Sequence, residues 1–377
     1  MRELKVAYFI GALNRGGAEN LICDICRRHK QIPYDFVCVY RHEGNMSDAF
    51  KSTGAPMIHV AKKGGMLRYL LDVRKVLRQE HITIVHSQTP QNTLLLAIAL
   101  LGTGIKVITT FHGYNFSKAP WWQQKIVYNV SKKILCVSEH QKSVYEQRWH
   151  LPNANKLEVL YNGIDFTKID GVKNERVREL GSERVKLAMV GNFVDVRSQI
   201  VVVKAIARLD AMRLEPKDLD ATHLVIPEFD FYFVGKRVEQ EAALYDECVK
   251  YCEEHQLNNV HFLGSRGDVP EILKTVDGFV YSTALDTFGI AVIEAIAAGL
   301  PIVVNDWPVM TEVCGAENEG IRYFHTEDAE DAAAKIAMLL SNLEESKIVA
   351  KENAKRMHEK YSIEQHINHL NSIYQSL

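Results

Sequence analysis

The chain has 377 residues, 47% apolar and 24% charged, with a formal net charge of −2. These values are those of a folded globular protein with room for two ordinary cores; they argue against a disordered chain, and no nucleic-acid partner is expected. The small net charge hides an asymmetry, because residues 1–160 carry 22 Lys and Arg against 11 Asp and Glu while residues 161–377 carry 23 against 36. A basic half suits an anionic partner such as a lipid-linked phosphate or an acidic membrane surface, the alternative being lysines that only solubilise helices.

Met1-Arg2-Glu3-Leu4-Lys5 leads straight into the apolar run Val6–Ile10 without a leader segment, so a cytoplasmic location, with peripheral contact at the inner membrane face, is expected. Short apolar runs then alternate with amphipathic stretches, the pattern of parallel sheets with helices on both faces. Strands are expected near Lys5–Ile10, Asp35–Val39, Met57–Val60, Thr83–His86, Lys106–Thr110, Ile134–Val137 and Leu157–Leu160. After the first of them, Gly16-Gly17-Ala18-Glu19 opens a helix, and a glycine pair there exposes backbone N–H groups as phosphate-cradling loops do. A plain tight turn would use the same glycines, and the dinucleotide spacing G-x-G-x-x-G is absent.

Leu94–Leu101, the longest apolar block, stops at Gly102 and falls short of the roughly 18 residues of a membrane span. His112 follows the strand ending Thr109-Thr110-Phe111, where a neutral imidazole can meet a sugar hydroxyl or serve the core. Trp121 and Trp122 precede Lys125, Lys132 and Lys133, a pattern that fits either a lipid interface or core packing. Turn residues at Tyr161-Asn162-Gly163-Ile164-Asp165 and a polar stretch to Ser182 mark a hinge. The expected division is residues 1–164, then 165–360, then a final helix over 361–377 that packs back on the first domain.

The series restarts with strands near Lys186–Val190, Asp230–Val234, Val260–Phe262, Asp277–Tyr281 and Ile302–Val304. Arg197 lies at the expected start of a helix, where a guanidinium can neutralise a diphosphate; Lys236 and Arg237 are further candidates, and surface solvation is the alternative for all three. Glu215–Pro227 interrupts the repeat, and its Asp218-Leu219-Asp220 precedes a strand instead of ending one, so no metal role is assigned. The seven cysteines lack a second metal-spaced pair near Cys23 and Cys26 or near Cys248 and Cys252, which reads as small core residues under reducing conditions.

The most informative stretch runs from Ala284 to Val304. Gly278–Ser282 reads as a strand and Ile290–Ala298 as a helix, joined by a turn at Gly289 that leaves the first helical N–H groups open to an anion. Asp286 just before the helix and Glu294 about one turn inside it can each hold neighbouring hydroxyls, so a nucleoside diphosphate carrying a sugar fits.

Together these residues resemble the family 4 glycosyltransferases. The resemblance covers nearly the whole chain and rests on Gly16–Glu19, Phe111-His112-Gly113, Val159–Asp165, Val260-His261-Phe262-Leu263-Gly264 and the acid pair Asp286 and Glu294. It implies the GT-B fold, two doubly wound Rossmann-like domains whose parallel sheets face a central cleft, with acceptor bound by the first and nucleotide sugar by the second. It implies a retaining hexosyltransferase that uses a nucleotide-diphosphate sugar, with UDP as the commonest carrier, to extend a glycan or lipid-linked acceptor in cell-surface polysaccharide synthesis. No cofactor and no metal are expected.

By the same resemblance Glu294 grips the ribose, Asp286 the transferred sugar, and the backbone of Phe288, Gly289 and Ile290 the diphosphate. Gly16 and Gly17 approach the phosphate, His112 touches the sugar, and Gly264, Ser265 and Arg266 lie near the base. The family usually has Glu where Asp286 stands, and Arg followed five and six positions later by Lys-Gly where this chain has Asn192, Arg197 and Ser198. Those departures shift charge compensation to Arg197, with Lys236 and Arg237 in reserve, and leave a catalytically weak partner subunit as the alternative. A nucleotide-sugar epimerase shares the architecture but not these motifs.

Overall fold

The computed structural model describes residues 4–14, 16–149, 154–173, 180, 183–214, 225–315 and 320–377. The excursion at 215–224, with Asp218 and Asp220, lies outside the described residues. Two compact units are present, Met1–Asp165 with Tyr361–Leu377, and Phe166–Lys360.

In the first unit the apolar runs form strands β1 (Lys5–Ala12), β2 (Asp35–His42), β3 (Met57–His59), β4 (Ile84–Ser87), β5 (Lys106–Phe111), β6 (Ser131–Cys136) and β7 (Leu157–Val159). They make one parallel sheet in the order β3-β2-β1-β4-β5-β6-β7. Val6 of the central strand pairs with Phe36 on one side and Ile84 on the other. Such strands are covered on both faces, so they read as continuous apolar runs instead of alternating ones.

The final helix, Ile363–Gln375, belongs to this unit. Ser362 caps it by accepting from the N–H of Gln365, and Ile363, Ile367, Leu370 and Tyr374 fall on one face at helical spacing. They pack with Tyr8, Ile22 and Phe36, and burial of each is worth roughly 2 kcal/mol. Gly163 has no room for a Cβ, which would sit 2.7 Å from His366 Cβ, so chain and helix meet closely there.

The second unit repeats the plan with β8 (Val185–Val190), β9 (Phe229–Val234), β10 (Val260–Gly264), β11 (Gly278–Tyr281), β12 (Ile302–Asn305) and β13 (Ile321–Phe324). The parallel order is β10-β9-β8-β11-β12-β13. β13 was not anticipated: Ile-Arg-Tyr-Phe is four residues long, and its two middle side chains are only partly buried, so it lacks the apolar run of its neighbours.

Each sheet winds outward in both directions from its first strand. The order therefore reverses between β1 and β4 in one unit and between β8 and β11 in the other, and ligands of such sheets bind at the carboxyl ends of strands at that point. The loops after those strands contain Gly16, Gln88, Arg197 and Asp286, and Gly17 opens the helix after β1. All seven cysteines are buried and unbonded. Among the described residues no helix is long and apolar enough to cross a membrane.

Candidate active site

In the second unit the loops leaving β8 and β11 are stitched to each other. Ser198 N–H donates to Ser282 O at 3.2 Å, Ala284 N–H to Val196 O at 3.1 Å, and Thr283 Oγ1 to Val196 O at 2.7 Å. The fully buried Asn305 side chain holds Thr283 from behind, accepting its N–H at 3.0 Å and donating to its carbonyl at 2.8 Å. Arg197 thus lies in this loop, two residues ahead of the helix Gln199–Leu214 and not inside it.

The turn into the helix Ile290–Ala297 is made by Gly289, whose φ of 77° lies in the left-handed region. A Cβ there would stand 2.6 Å from Met310 Cε, so the end of that buried side chain would also have to shift. Val292 and Ile293 both donate to Gly289 O, which leaves the N–H groups of Ile290 and Ala291 ahead of the first intrahelical bonds.

Asp286 is the hub. Its Oδ1 accepts from the backbone N–H groups of Thr287 at 2.7 Å, Phe288 at 3.2 Å and Gly289 at 3.2 Å. Its Oδ2 accepts from Tyr281 Oη at 2.9 Å and meets Arg197 Nη1 at 3.0 Å. Trp307 Nε1 donates to its carbonyl at 3.0 Å. Arg197 Nη1 also donates to Thr283 Oγ1 at 3.2 Å, and the guanidinium lies 5.2 Å from the centre of the Tyr281 ring. Burial opposes the Arg197 charge, but Tyr281 and Asp286 outweigh it and raise its pKa above the ordinary value. Burial likewise pushes the Tyr281 phenol well up.

The other expected cations separate. Arg237 is engaged by Asp246 through two contacts of 2.8 Å and by Glu239 at 3.3 Å. Lys236 is exposed and makes no ion pair among the described residues. Asn192 accepts the Lys236 N–H at 3.1 Å, and Gln199 Nε2 donates to the carbonyl of Asn192 at 3.0 Å, so asparagine ties adjacent loops where the family has a cation. Gly264 ends β10 with φ 66°, Ser265 is exposed, and Arg266 Nε pairs with Asp268 at 2.7 Å. Glu294 is half-buried on the helix.

In the first unit Gly16 is the extended N-cap of the helix Gly17–Arg27. His112 is partly buried beyond β5, and its Nε2 lies 3.1 Å from Gln88 Oε1. Beneath it is a cavity of about 10 Å³, room for about one water, with His86, His112, His366 and Gln88 in its walls. His86 bridges Tyr374 Oη and Thr110 Oγ1, each at 2.6 Å. Burial, reinforced by His366, lowers His112 to about 4; burial with His366 and His112 lowers His86 to about 3, and burial lowers His366 to about 4. All three rings are neutral at pH 7. Among the described residues no three His, Cys, Asp or Glu are placed to hold a metal ion.

Tyr281, Thr283 and Trp307 around Asp286, and Gln88 beside His112, were not singled out from sequence. Tyr281 and Thr283 flank the end of a recognisable strand, which was an available signal; Trp307 comes from a separate element and carried none.

Two family models match the chain, one described as Glycosyltransferase Family 4 over residues 15–168 and one as Glycosyl transferases group 1 over residues 172–357. The chain is 24% identical over 257 residues to an Escherichia coli UDP-Gal:alpha-D-GlcNAc-diphosphoundecaprenol alpha-1,3-galactosyltransferase, covering 64% of this chain and 62% of the relative. It is 17% identical over 334 residues to the Escherichia coli O-antigen biosynthesis glycosyltransferase WclY, 82% of each chain. Crystal structures of Anabaena Alr3699/HepE in complex with UDP and with UDP-glucose superpose with TM-scores of 0.84 and 0.81 at 16% identity, covering 99% of this chain and all of that one, a likeness of fold.

Proposed function

We propose that this chain, which belongs to the family 4 glycosyltransferases and has their GT-B fold, transfers a sugar from a uridine diphosphate donor to a glycan or lipid-linked acceptor with retention of anomeric configuration. The observation that carries the reading is the loop at the second switch point, where Asp286 gathers Arg197 and the N–H groups of Thr287, Phe288 and Gly289 just ahead of the helix that carries Glu294. The E. coli relative that acts on a diphosphoundecaprenol-linked sugar and the O-antigen relative support the acceptor class.

Asp286 draws on the donors that a diphosphate at this loop would use. At least five donors converge on its two oxygens, which fills the acceptor capacity of a carboxylate. A sugar hydroxyl at Asp286 would have to displace one of them. The diphosphate competes with Asp286 for Arg197 and for the N–H groups of Phe288 and Gly289, while Ile290 and Ala291 point the helix dipole at it. Lys236 supplies the cation that Asn192 does not. Glu294 accepts the ribose hydroxyls, and Gly264, Ser265 and Arg266 border the base.

As the bond between the anomeric carbon and the phosphate oxygen breaks, negative charge grows on the diphosphate and positive character on the ring. The acceptor oxygen bonds to that carbon on the face the phosphate leaves, and its proton passes to a departing phosphate oxygen, giving the glycoside and UDP. His112, held neutral, offers a sugar hydroxyl a hydrogen bond without adding charge.

The test is transfer from UDP-sugars to a polyprenyl-diphosphate-linked sugar, with the product anomer read by NMR. A product with the donor's configuration supports the reading, and an inverted one refutes it. Nucleotide binding without turnover across the panel would instead favour a weak partner subunit, the reading that Asn192 motivates. Altered donor released without acceptor would indicate an epimerase.

A further inference from the structure

In the first unit the helices Met66–Gln79, Pro90–Ala99 and Trp121–Val130 lie side by side. Their inner faces are core, with Val73, Leu77, Leu96 and Val127 fully or almost fully buried. Their outer faces and the turn after the second helix are not polar. Eight of the twelve large apolar side chains exposed among the described residues fall here, led by Leu67 at 73%, Trp121 at 72% and Leu101 at 69%, with Trp122 at 50%. Concentration on one three-helix face is not the scatter of single exposed apolar residues that ordinary surfaces show.

Charge identifies what covers that face. Lys62, Lys63, Arg68, Lys75, Lys118, Lys125 and Lys132 are exposed on or beside these helices. No Asp or Glu occurs anywhere in residues 81–138. Of the two acids in residues 61–80, Asp72 lies 3.9 Å from Arg68 and Glu80 3.0 Å from Lys5. Lys125 Nζ lies 5.8 Å from the centre of the Trp121 ring, its charge kept beside the indole. Protein interfaces deplete lysine, whereas tryptophan with lysine is the composition of the bilayer boundary, where indoles sit among headgroups and ammonium groups meet lipid phosphate.

We propose that this face docks the chain on an anionic bilayer, with Trp121 and Trp122 inserted among the headgroups and the surrounding lysines on lipid phosphates. The inference stands on the first unit alone, and it adds a reason for a lipid-linked acceptor to the transferase reading. Trp121 follows His112 by a short connection that is held in place: Gly113 O accepts from Tyr145 Oη at 2.9 Å and Gln141 Nε2 at 3.2 Å, and Ala119 O accepts from Gln124 Nε2 at 2.7 Å. Insertion of the indoles would therefore hold His112 at a fixed height above the bilayer.

The test is co-sedimentation of the full chain with vesicles of phosphatidylcholine alone and with about one third phosphatidylglycerol, together with tryptophan quenching by brominated lipid. The expected result is binding to the anionic vesicles only, weakened at least tenfold by half-molar salt and by the double variant Trp121→Ser, Trp122→Ser, with quenching lost in Trp121→Phe, Trp122→Phe. The triple variant Lys118→Gln, Lys125→Gln, Lys132→Gln should lose binding while keeping its circular dichroism. Failure to bind anionic vesicles, equal binding to neutral ones, or binding indifferent to the tryptophans overturns the proposal. So does self-association at micromolar concentration that the tryptophan variants abolish, since a second copy would then be the occupant. Neither donor nor acceptor enters the assay, so its failure leaves the transferase reading standing, and a failed transfer assay leaves docking standing.

Discussion

Replacing Asp286 by Asn removes one negative charge and turns Oδ2, the acceptor for Arg197 and Tyr281, into an amide donor. The amide oxygen still accepts from Thr287, Phe288 and Gly289, but Arg197 Nη1, now 3.0 Å from a carboxylate oxygen, loses its counter-charge. A charged hydrogen bond is worth about 1.5–3 kcal/mol, and a fully buried pair broken on one side costs about 3–5. The Arg197 side chain is 21% exposed, so water recovers part of the loss and about 2 kcal/mol is expected. For a unit of this size that lowers the melting temperature by about 4–8 °C. Ligand binding moves the other way, because Arg197 is released and a like charge beside the diphosphate is gone. UDP and UDP-sugar should both bind more tightly by about tenfold, or about 1.4 kcal/mol, in calorimetric titration. If Asp286 instead held the transferred sugar, UDP affinity would stay constant and UDP-sugar affinity would fall; that result, or an unchanged melt, refutes the competition between Asp286 and diphosphate.

Three further outcomes follow from the same geometry. Gly289→Ala puts a Cβ in left-handed backbone and 2.6 Å from Met310 Cε, so a loss of about 2–3 kcal/mol in urea unfolding is expected, together with loss of UDP binding; a wild-type melt rejects the close packing. Lys236→Ala should weaken UDP binding by about three- to tenfold at low salt and less at high salt, and an effect independent of salt would remove Lys236 from the diphosphate. His86, His112 and His366, lowered to about 3, 4 and 4, bind fewer protons folded than unfolded below about pH 6.5. Stability of the first unit is thus fully present above that pH and falls by about 1.4 kcal/mol per pH unit per histidine as acid is added, until each folded pKa is reached; amide exchange in β1 and β4 that is equally protected at pH 7.5 and 5 contradicts it.

Much of this was legible in the chain. Val6–Ile10, Asp35–Val39 and Ile302–Val304 announce parallel strands because both faces of each are covered, and Gly289 announces the strand-to-helix turn of the candidate site because few other residues can make it. What the sequence did not carry is who holds whom. That Asp286 turns back on its own loop depends on the left-handed backbone at Gly289 and on Tyr281 and Arg197 arriving from different strand ends. Lys236 and Arg237 are neighbours of one charge class, and only the fold brings Asp246 to Arg237 and leaves Lys236 exposed. Trp121 and Trp122 fit core and interface equally by spacing; their exposure of 72% and 50% excludes the core.

The donor site is tested most directly by calorimetric titration of UDP, alongside ADP and GDP, into the wild-type chain and Glu294→Ala. A carboxylate accepting ribose hydroxyls is worth about 1.5–3 kcal/mol, so the account predicts one saturable UDP site that weakens about 10- to 100-fold in the variant. Absence of nucleotide binding by the wild type, or UDP affinity unchanged in Glu294→Ala, would contradict it.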